Sequence, residues 1–313
     1  MTSDAPSDDR AAEPSGDPAA SKSRPDDAAI PGGLHIVATP IGNAADITLR
    51  ALEVLRRVDL IACEDTRVTG NLMARYEIGT RRLAYNDHNA ERVRPLLLER
   101  LRRGERIALV SDAGMPLVSD PGYKLVRAAI AEGLPVTTVP GASAPLAALA
   151  LSGLPSDRFL FAGFLPSRST ARRHELAELA TVPATLIFFE SARRLGESLA
   201  DMAAVLGDRP AAVAREMTKR FGEVRRDSLA ALATHYAAAG PPKGEVVIVV
   251  GPPASAPFRD DAQAAVTLDD MLRDALAGAS LRDAAAAVAI ASGLPRRAVY
   301  ARALALAGQN GKR

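Results

Sequence analysis

The sequence predicts an α/β protein built from two consecutive domains, each with a largely parallel sheet. From Leu34 onward, short apolar runs of strand length alternate with longer segments whose apolar residues recur at helical spacing. This alternation is typical of a sheet covered by helices on both faces. It breaks at the turn residues SGLPSD (152–157) and then starts again. The length of 313 residues also fits about two domains of ordinary size.

The first half contains the elements of one α/β unit. Leu49, Leu52 and Leu55 share one face of a predicted helix, and Gly133 is placed to end another. We predict strands at 34–39, 59–64, 106–112 and 135–139, and helices at 47–58, 66–76, 91–103, 122–133 and 142–151.

The second half repeats the alternation and ends in a helical extension. We predict strands at 159–164, 184–190, 210–216 and 244–251, with helices at 171–180, 194–207 and 226–239. A Pro-rich linker (252–257) precedes three further helical segments at about 267–277, 281–291 and 296–307. The resulting organisation is a tail at 1–32, domains at 33–152 and 153–252, and an extension at 258–310.

The extension has two interpretations. A helix–turn–helix would place Arg296 and Arg297 at the start of its last helix, where they could reach nucleic acid. A plain helical appendage that packs on the body or on a second subunit is the commoner arrangement, and we favour it from the sequence.

Composition excludes several classes of protein. Cys63 is the single cysteine, so an internal disulfide cannot form, and four scattered histidines give no cluster at metal-site spacing. No apolar run is long enough to span a membrane, and residues 1–30 lack the order of a signal peptide. We therefore expect a cytoplasmic protein without a bound metal.

The net charge of +2 conceals two unlike segments. Residues 1–30 are rich in Ala, Ser, Pro and Asp and contain seven acidic and three basic residues, which predicts a disordered tail with a net charge of −4. The other 283 residues therefore carry +6, a balance compatible with RNA binding.

Three loops at predicted strand ends are candidates for a ligand site. They are TPIGNAAD (39–46), SDAGMPLVSDPG (111–122) and PGASA (140–144). In open α/β sheets, ligands bind at the carboxyl ends of the strands. The fingerprints GxGxxG and GxxxxGK[ST] are absent, and the loops hold few basic residues. These features favour a ligand with an adenine ring and a ribose but no phosphates, and S-adenosylmethionine fits that description.

Charged clusters follow other strands. CEDTR (63–67) offers Glu64 and Asp65 as general-base candidates, although Asp65 could equally cap the next helix. REMTKR (215–220) and SRSTARRH (167–174) are basic runs near predicted ligand-facing loops. Such runs are usually solvated helix faces, but two of them here suggest a partner with a phosphate backbone.

Together these motifs resemble one family. The series ATPIGNAADITLRALEVL, CEDTR, SDAGMPLVSDPG, VPGASA, FAGFLPSR, ARRHEL, FFES, AREMTK and KGE is similar, in order over 34–251, to the ribosomal RNA small subunit methyltransferase I family of the tetrapyrrole-methylase-like superfamily. The three-helix tail is similar too. One departure is that Ala192 and Arg193 stand where the family usually has Pro and His.

The resemblance implies two α/β/α domains of tetrapyrrole-methylase type, usually in a homodimer, with S-adenosylmethionine held between them. The implied reaction is methyl transfer to the ribose 2′-oxygen of cytidine 1402 in 16S ribosomal RNA of the small subunit. By motif match, the cofactor-binding residues would be Pro40, Gly114, Met115, Val118, Ser143, Ala144, Ala214 and Gly244.

For the reaction itself we expect Asp65 or Glu64 to act as the base, with Lys219 also in a catalytic role. The residues expected to contact RNA are Arg67, Arg168, Arg172 and Arg215. Two alternatives stay open: a tetrapyrrole (precorrin-type) methyltransferase on the same fold, and a non-catalytic RNA-binding factor for ribosome assembly.

Overall fold

A computed structural model describes residues 30–253, 261–292 and 296–310. Residues 1–29 of the predicted tail and residues 254–257 of the predicted linker lie outside the described ranges. Residues Met1–Ala142 and Ser143–Arg313 form two compact units. Among the described residues, no helix is long and apolar enough to cross a membrane.

The first unit is a five-stranded parallel sheet with helices on both faces. Its strands have the order β3-β2-β4-β1-β5. The elements are β1 Gly33–Val37, α1 Leu49–Arg57, β2 Leu60–Cys63, α2 Thr66–Arg75, β3 Arg82–Ala84, α3 Ala90–Arg102, β4 Arg106–Val110, α4 Tyr123–Ala131 and β5 Val136–Val139.

Two apolar layers hold this sheet between its helices. One face packs Leu34, Leu60 and Leu109 against α3 and α4, and the other packs Ile61 and Val110 against α1 and α2. Both faces of every central strand are thus buried, which explains why these strands read as continuous apolar runs.

The second unit contains a mixed sheet with the order β6-β7-β10-β8-β9. Its elements are α5 Ala144–Ser152, β6 Phe159–Phe164, α6 Ser169–Leu179, β7 Thr185–Ser191, α7 Leu195–Leu206, β8 Pro210–Arg215, β9 Glu223–Ser228, α8 Leu229–Ala239 and β10 Glu245–Val250. Strand β6 is parallel to β7, whereas β10 is antiparallel to both β7 and β8.

Helices cover both faces of this sheet as well. Helices α6, α7 and α8 pack over one apolar layer, and α5 packs over the other with Leu149 against Ile187 and Val249. The predicted α/β fold class is confirmed. Because α5 packs on the second sheet, the compact units divide ten residues before the boundary expected at 152/153.

The second sheet differs from the expected pattern in two ways. Three of its four strand pairings are antiparallel, so the prediction of a largely parallel sheet is wrong for this domain. The sheet also contains a strand that the sequence does not predict. Residues 223–228 form β9, although the sequence predicts a helix that starts at 226. Helix α8 instead begins at Leu229. Val224 is its only large apolar residue, and the strand pairs antiparallel with β8 at the edge of the sheet. An edge strand rich in charged residues has no apolar run from which the sequence could predict it.

The extension forms helices α9 Asp261–Leu276, α10 Leu281–Ser292 and α11 Arg296–Asn310. They share a small apolar core that includes Leu272, Val288 and Val299. The Arg302 guanidinium donates to both carboxylate oxygens of Asp269 at 2.7 and 2.6 Å and ties α11 to α9. The three predicted helices are therefore present and pack together.

Candidate active site

The first two candidate loops are joined by their backbones at the carboxyl edge of the first sheet. The Thr39 and Gly114 amides each donate to the other's carbonyl, at 2.9 and 3.1 Å. The Thr39 hydroxyl also donates to the Ser111 carbonyl at 3.1 Å. These bonds fix Pro40, the next residue of the first loop, beside the second loop.

Glycine is required where these loops meet. Gly114 has φ +82°, and a Cβ added there would lie 3.1 Å from the Ile41 side chain. Gly141 of the third loop approaches Ala38 so closely that an added Cβ would lie 2.9 Å from the alanine methyl. The first unit thus brings the three predicted loops to one place, with their backbones close together.

The second loop also holds backbone strain that the sequence did not reveal. Leu117 and Ser119 have φ values of +74° and +65°, in the left-handed region that non-glycine residues seldom occupy. Two such residues in one loop cost free energy, and strain of this kind is concentrated at binding sites. Met115 and Val118 lie in the same loop and are half-buried.

An acidic edge lies beside these loops, and we define it as Glu64, Asp65, Asp87, Asp112 and Asp120. Burial is the main cause that raises the pKa of the Glu64 carboxyl, and the other four carboxylates raise it further. Burial also raises the pKa of Asp112, partly offset by the hydrogen bond its Oδ1 accepts from the Asp65 amide at 3.1 Å. Such a concentration of negative charge suits a cationic ligand and opposes a polyphosphate.

Glu64 and Asp65 differ sharply in chemistry although they are neighbours. The Asp65 carboxylate caps α2 by accepting the Arg67 amide at 2.8 Å and forms an ion pair with the Arg67 guanidinium at 2.7 Å. Hydrogen bonds from Arg67 lower the pKa of Asp65 to about 2. Because a carboxylate with so low a pKa is a poor proton acceptor, the geometry favours Glu64 as the base.

Asp112 is the residue of this site that sequence reasoning missed. It follows β4 directly and connects the second loop to the start of α2 through the Asp65 amide. The sequence signal that could have identified Asp112 is its position in the second candidate loop, just after a buried strand.

Other groups near this edge lack the chemistry for catalysis. Burial raises the pKa of the Cys63 thiol, so it stays protonated and unreactive at neutral pH. No group of three or more His, Cys, Asp or Glu side chains that could hold a metal ion exists within the described ranges.

In the second unit, the predicted basic residues are mostly engaged by the protein. The Arg215 guanidinium donates to the carbonyls of Lys243 and Phe221, both at 3.2 Å, and so holds a turn in place. Lys219 forms an ion pair with Glu216 at 2.7 Å. A Cβ added to Gly244, whose φ is +92°, would collide with the Glu216 carboxylate. Arg215 and Lys219 therefore stabilise one compact turn, and Gly244 packs against its Glu216 side chain.

Arg172 is not available to RNA, contrary to the expectation from its basic run. Its side chain is 1% exposed and forms an ion pair with Asp201 at 2.7 Å, with a further bond to the Ser167 carbonyl at 3.2 Å. By contrast, Arg168 is exposed at the start of α6. The helical period explains the difference, because Arg172 shares a buried face with Leu176.

Besides Gly244, three expected cofactor residues belong to the second unit. Ser143 precedes α5 without capping it through its side chain, and Ala144 packs at the margin of the apolar layer under that helix. Ala214 is buried in the same layer. Because the methyl groups of Ala144 and Ala214 pack into this layer, their backbone is the part able to meet a ligand.

Comparison with known proteins identifies the family. A family model described as Tetrapyrrole (Corrin/Porphyrin) Methylases matches residues 33–233, and one described as RsmI C-terminal HTH domain matches residues 261–307. Ribosomal RNA small subunit methyltransferase I of Mesorhizobium japonicum is 53% identical over 280 residues, which cover 89% of this chain and 94% of the relative. The chain belongs to the ribosomal RNA small subunit methyltransferase I family.

Solved structures show the same fold at lower identity. Diphthine synthase aligns with a TM-score of 0.55 and 19% identity over 70% of this chain and 89% of its own. Uroporphyrin-III C-methyl transferase from Thermus thermophilus, complexed with S-adenosyl homocysteine, aligns with a TM-score of 0.51 and 21% identity over 70% and 97%. The tetrapyrrole-methylase fold expected of the methyltransferase I family is thereby confirmed.

Proposed function

We propose that this chain is an S-adenosylmethionine-dependent methyltransferase that methylates the ribose 2′-oxygen of cytidine 1402 in 16S ribosomal RNA. Membership of the methyltransferase I family is the observation that carries the proposal, since the similarity extends over nearly the whole chain. S-adenosylmethionine is the methyl donor, and the small ribosomal subunit supplies the RNA.

The residues of the first unit fit this cofactor. Its loops bring Gly114, Gly141 and small side chains together, so that an adenine ring and a ribose can approach the backbone closely. The acidic edge complements a ligand that carries a positive charge and no phosphate. Pro40, Gly114, Met115 and Val118 are the residues of this unit that we propose hold the cofactor, and Ser143, Ala144, Ala214 and Gly244 are proposed from the motif match alone.

Bound S-adenosylmethionine supplies an activated methyl group on a positively charged sulfur. The protein must then hold the ribose hydroxyl in line with that methyl group, and alignment alone can provide much of the rate enhancement. Glu64 accepts the hydroxyl proton as the new bond forms, because burial and the neighbouring carboxylates raise the pKa of its half-buried carboxyl and make it a stronger base than Asp65. Asp65 positions α2 rather than taking a proton.

Basic side chains steer the RNA backbone. Arg168 is exposed and suited to a phosphate contact, and Arg67 stays exposed although it pairs with Asp65. Lys219 and Arg215 act through the turn they build. The extension is a helix–turn–helix that adds a second contact to RNA through Arg296 and Arg297, as the description of its matching model supports.

A tetrapyrrole methyltransferase on the same fold is the rival function. The acidic edge does not separate the two functions, because it would repel the carboxylates of a tetrapyrrole and the phosphates of RNA alike. The high identity to the rRNA methyltransferases, against about 20% to the tetrapyrrole enzyme of known structure, favours RNA.

The activity test uses tritiated S-adenosylmethionine and small subunits from a strain that lacks this methylation. We expect label in a single 2′-O-methylcytidine after nuclease digestion. Label in a tetrapyrrole alone supports the rival function, and binding to subunits without any transfer supports the non-catalytic assembly factor.

We also propose that the chain acts in the cytoplasm as a homodimer. Exposed apolar side chains in the first unit, Leu49 at 87% and Leu96 at 59%, are compatible with a protein contact. Analytical ultracentrifugation of the purified chain tests the dimer. A single monomeric species would contradict it.

A further inference from the structure

One edge of the second sheet is lined by positive charge. Strands β6, β7 and β8 end at this edge, and β9 and β10 begin there. We define the basic edge as the exposed cations that follow or precede those strands, Arg168, Arg193, Lys219, Arg220 and Lys243. Only Lys219 of this set takes part in an ion pair within the described part of the chain.

Phe221 lies at the β9 end of the basic edge and is 74% exposed. It belongs to the turn between β8 and β9, next to Arg220, whose guanidinium carbon lies 5.5 Å from the centre of the phenyl ring. A large apolar side chain at this exposure gains nothing from the core, so its position calls for another explanation.

The backbone of this turn is fixed rather than loose. The Arg215 guanidinium holds the Phe221 carbonyl, and the Gly222 amide donates to the Lys219 carbonyl at 3.0 Å. A Cβ added to Gly222 would lie 2.5 Å from the Glu216 carbonyl oxygen, so the chain is tightly folded there. The turn therefore presents the phenyl ring outward on a rigid support.

An exposed aromatic ring among cations is a suitable platform for an unpaired nucleobase. Proteins that bind single-stranded RNA stack bases on aromatic rings and contact the phosphates with nearby cations. We propose that Phe221 stacks on an unpaired base of the RNA substrate, with Arg220 and Lys243 contacting the adjacent phosphates. This inference rests on the proposed function in taking ribosomal RNA as the partner.

The absence of tryptophan from the sequence makes stacking directly measurable. In Phe221→Trp, the introduced indole is the sole tryptophan, and stacking on a base quenches its fluorescence. The probe is a single-stranded oligoribonucleotide with the sequence around cytidine 1402. We expect saturable quenching by this oligoribonucleotide that weakens as salt is raised.

Phe159→Trp is the matched control. Phe159 is 45% exposed on the same sheet but begins β6, at the opposite edge. We expect no quenching of its indole by the same oligoribonucleotide. Equal quenching of both variants would overturn the proposal, because it would show contact without preference for the basic edge.

Phe221→Ala supplies the functional readout. We expect its KM for small subunits to rise roughly 5- to 150-fold, as loss of one base–aromatic stack predicts, while the thermal midpoint and the Kd for S-adenosylmethionine stay unchanged. An unchanged KM together with no quenching of Phe221→Trp overturns the proposal. A second result would also overturn the proposal. If the indole emission of Phe221→Trp shifts to the blue as the protein concentration rises without RNA, a second copy of the chain covers the ring.

Failure of the proposed function is distinguishable from failure of the stacking. If the unsubstituted chain transfers no methyl group to subunits, the proposed function is wrong. Quenching by the oligoribonucleotide needs no catalysis and still decides whether Phe221 meets a base.

Discussion

Replacing Arg172 by methionine separates a structural role from an RNA-binding role for the basic run at 167–174. The substitution keeps most of the side-chain volume but removes the guanidinium that pairs with Asp201 at 2.7 Å. Asp201 is itself 13% exposed and would keep the Ser169 hydroxyl at 2.9 Å. Its carboxylate would lose its principal countercharge in the interior of the second unit.

The structure sets the size of the expected loss. Removing one partner of a buried ion pair typically costs about 3–5 kcal/mol. We expect about 3 kcal/mol for Arg172→Met, at the low end of that range, because the Ser169 hydroxyl still solvates the carboxylate. For a chain of this size, such a loss lowers the thermal midpoint by roughly 6–12 °C.

The assay is urea and thermal unfolding of the full chain, with Arg168→Met as the control. Arg168 lies in the same run but is exposed, so its replacement should leave stability unchanged and weaken RNA binding. Combining Arg172→Met with Asp201→Leu should restore most of the lost stability, since no buried charge is then left unpaired and Arg173, which also contacts Asp201, is exposed to solvent. A stable Arg172→Met protein with weakened RNA binding would refute the structural role.

Further predictions concern the candidate active site. Glu64→Gln should lower kcat by roughly 10²- to 10⁴-fold. It should also abolish the acid limb of the pH–rate profile, because the base must be ionised and the rate falls as pH drops through its raised pKa. The same substitution should stabilise the fold at neutral pH, because it removes a carboxylate whose charged form is disfavoured by burial. Asp65→Asn should change kcat little, and a loss equal to that of Glu64→Gln would contradict the assignment. Gly114→Ala should weaken binding of S-adenosylmethionine at least tenfold by calorimetry, whereas Gly104→Ala, at φ +80° with no atom within 4 Å of an added Cβ, has the same backbone strain and should leave binding unchanged.

Most of the fold follows from apolar periodicity, and the missed elements share a physical reason. Strands β1, β2 and β4 are buried on both faces and stand out as apolar runs. Strands β3 and β9 lie at sheet edges, where one side is solvated and a short charged sequence suffices. The packing of α5 on the second sheet depends on contacts distant in sequence, which periodicity does not encode.

The candidate site could be predicted in its loops but not in its electrostatics. Glycine and small residues at strand ends pointed to the loops that meet at Gly114. The sequence could not show that Asp65 is tied to Arg67 while Glu64 is left among carboxylates, because that contrast depends on burial and hydrogen bonding. In the same way, two arginines four residues apart in one run differ in burial, with Arg172 buried and Arg168 exposed.

The proposed function is methyl transfer to one ribose of the small-subunit RNA. The direct measurement incubates the protein with S-adenosylmethionine and small subunits that lack the modification, followed by mass spectrometry of the RNA fragment that contains cytidine 1402. We predict one added methyl group, on the ribose 2′-oxygen of that cytidine. A methyl group on a base, a different nucleotide or no RNA at all would contradict the account.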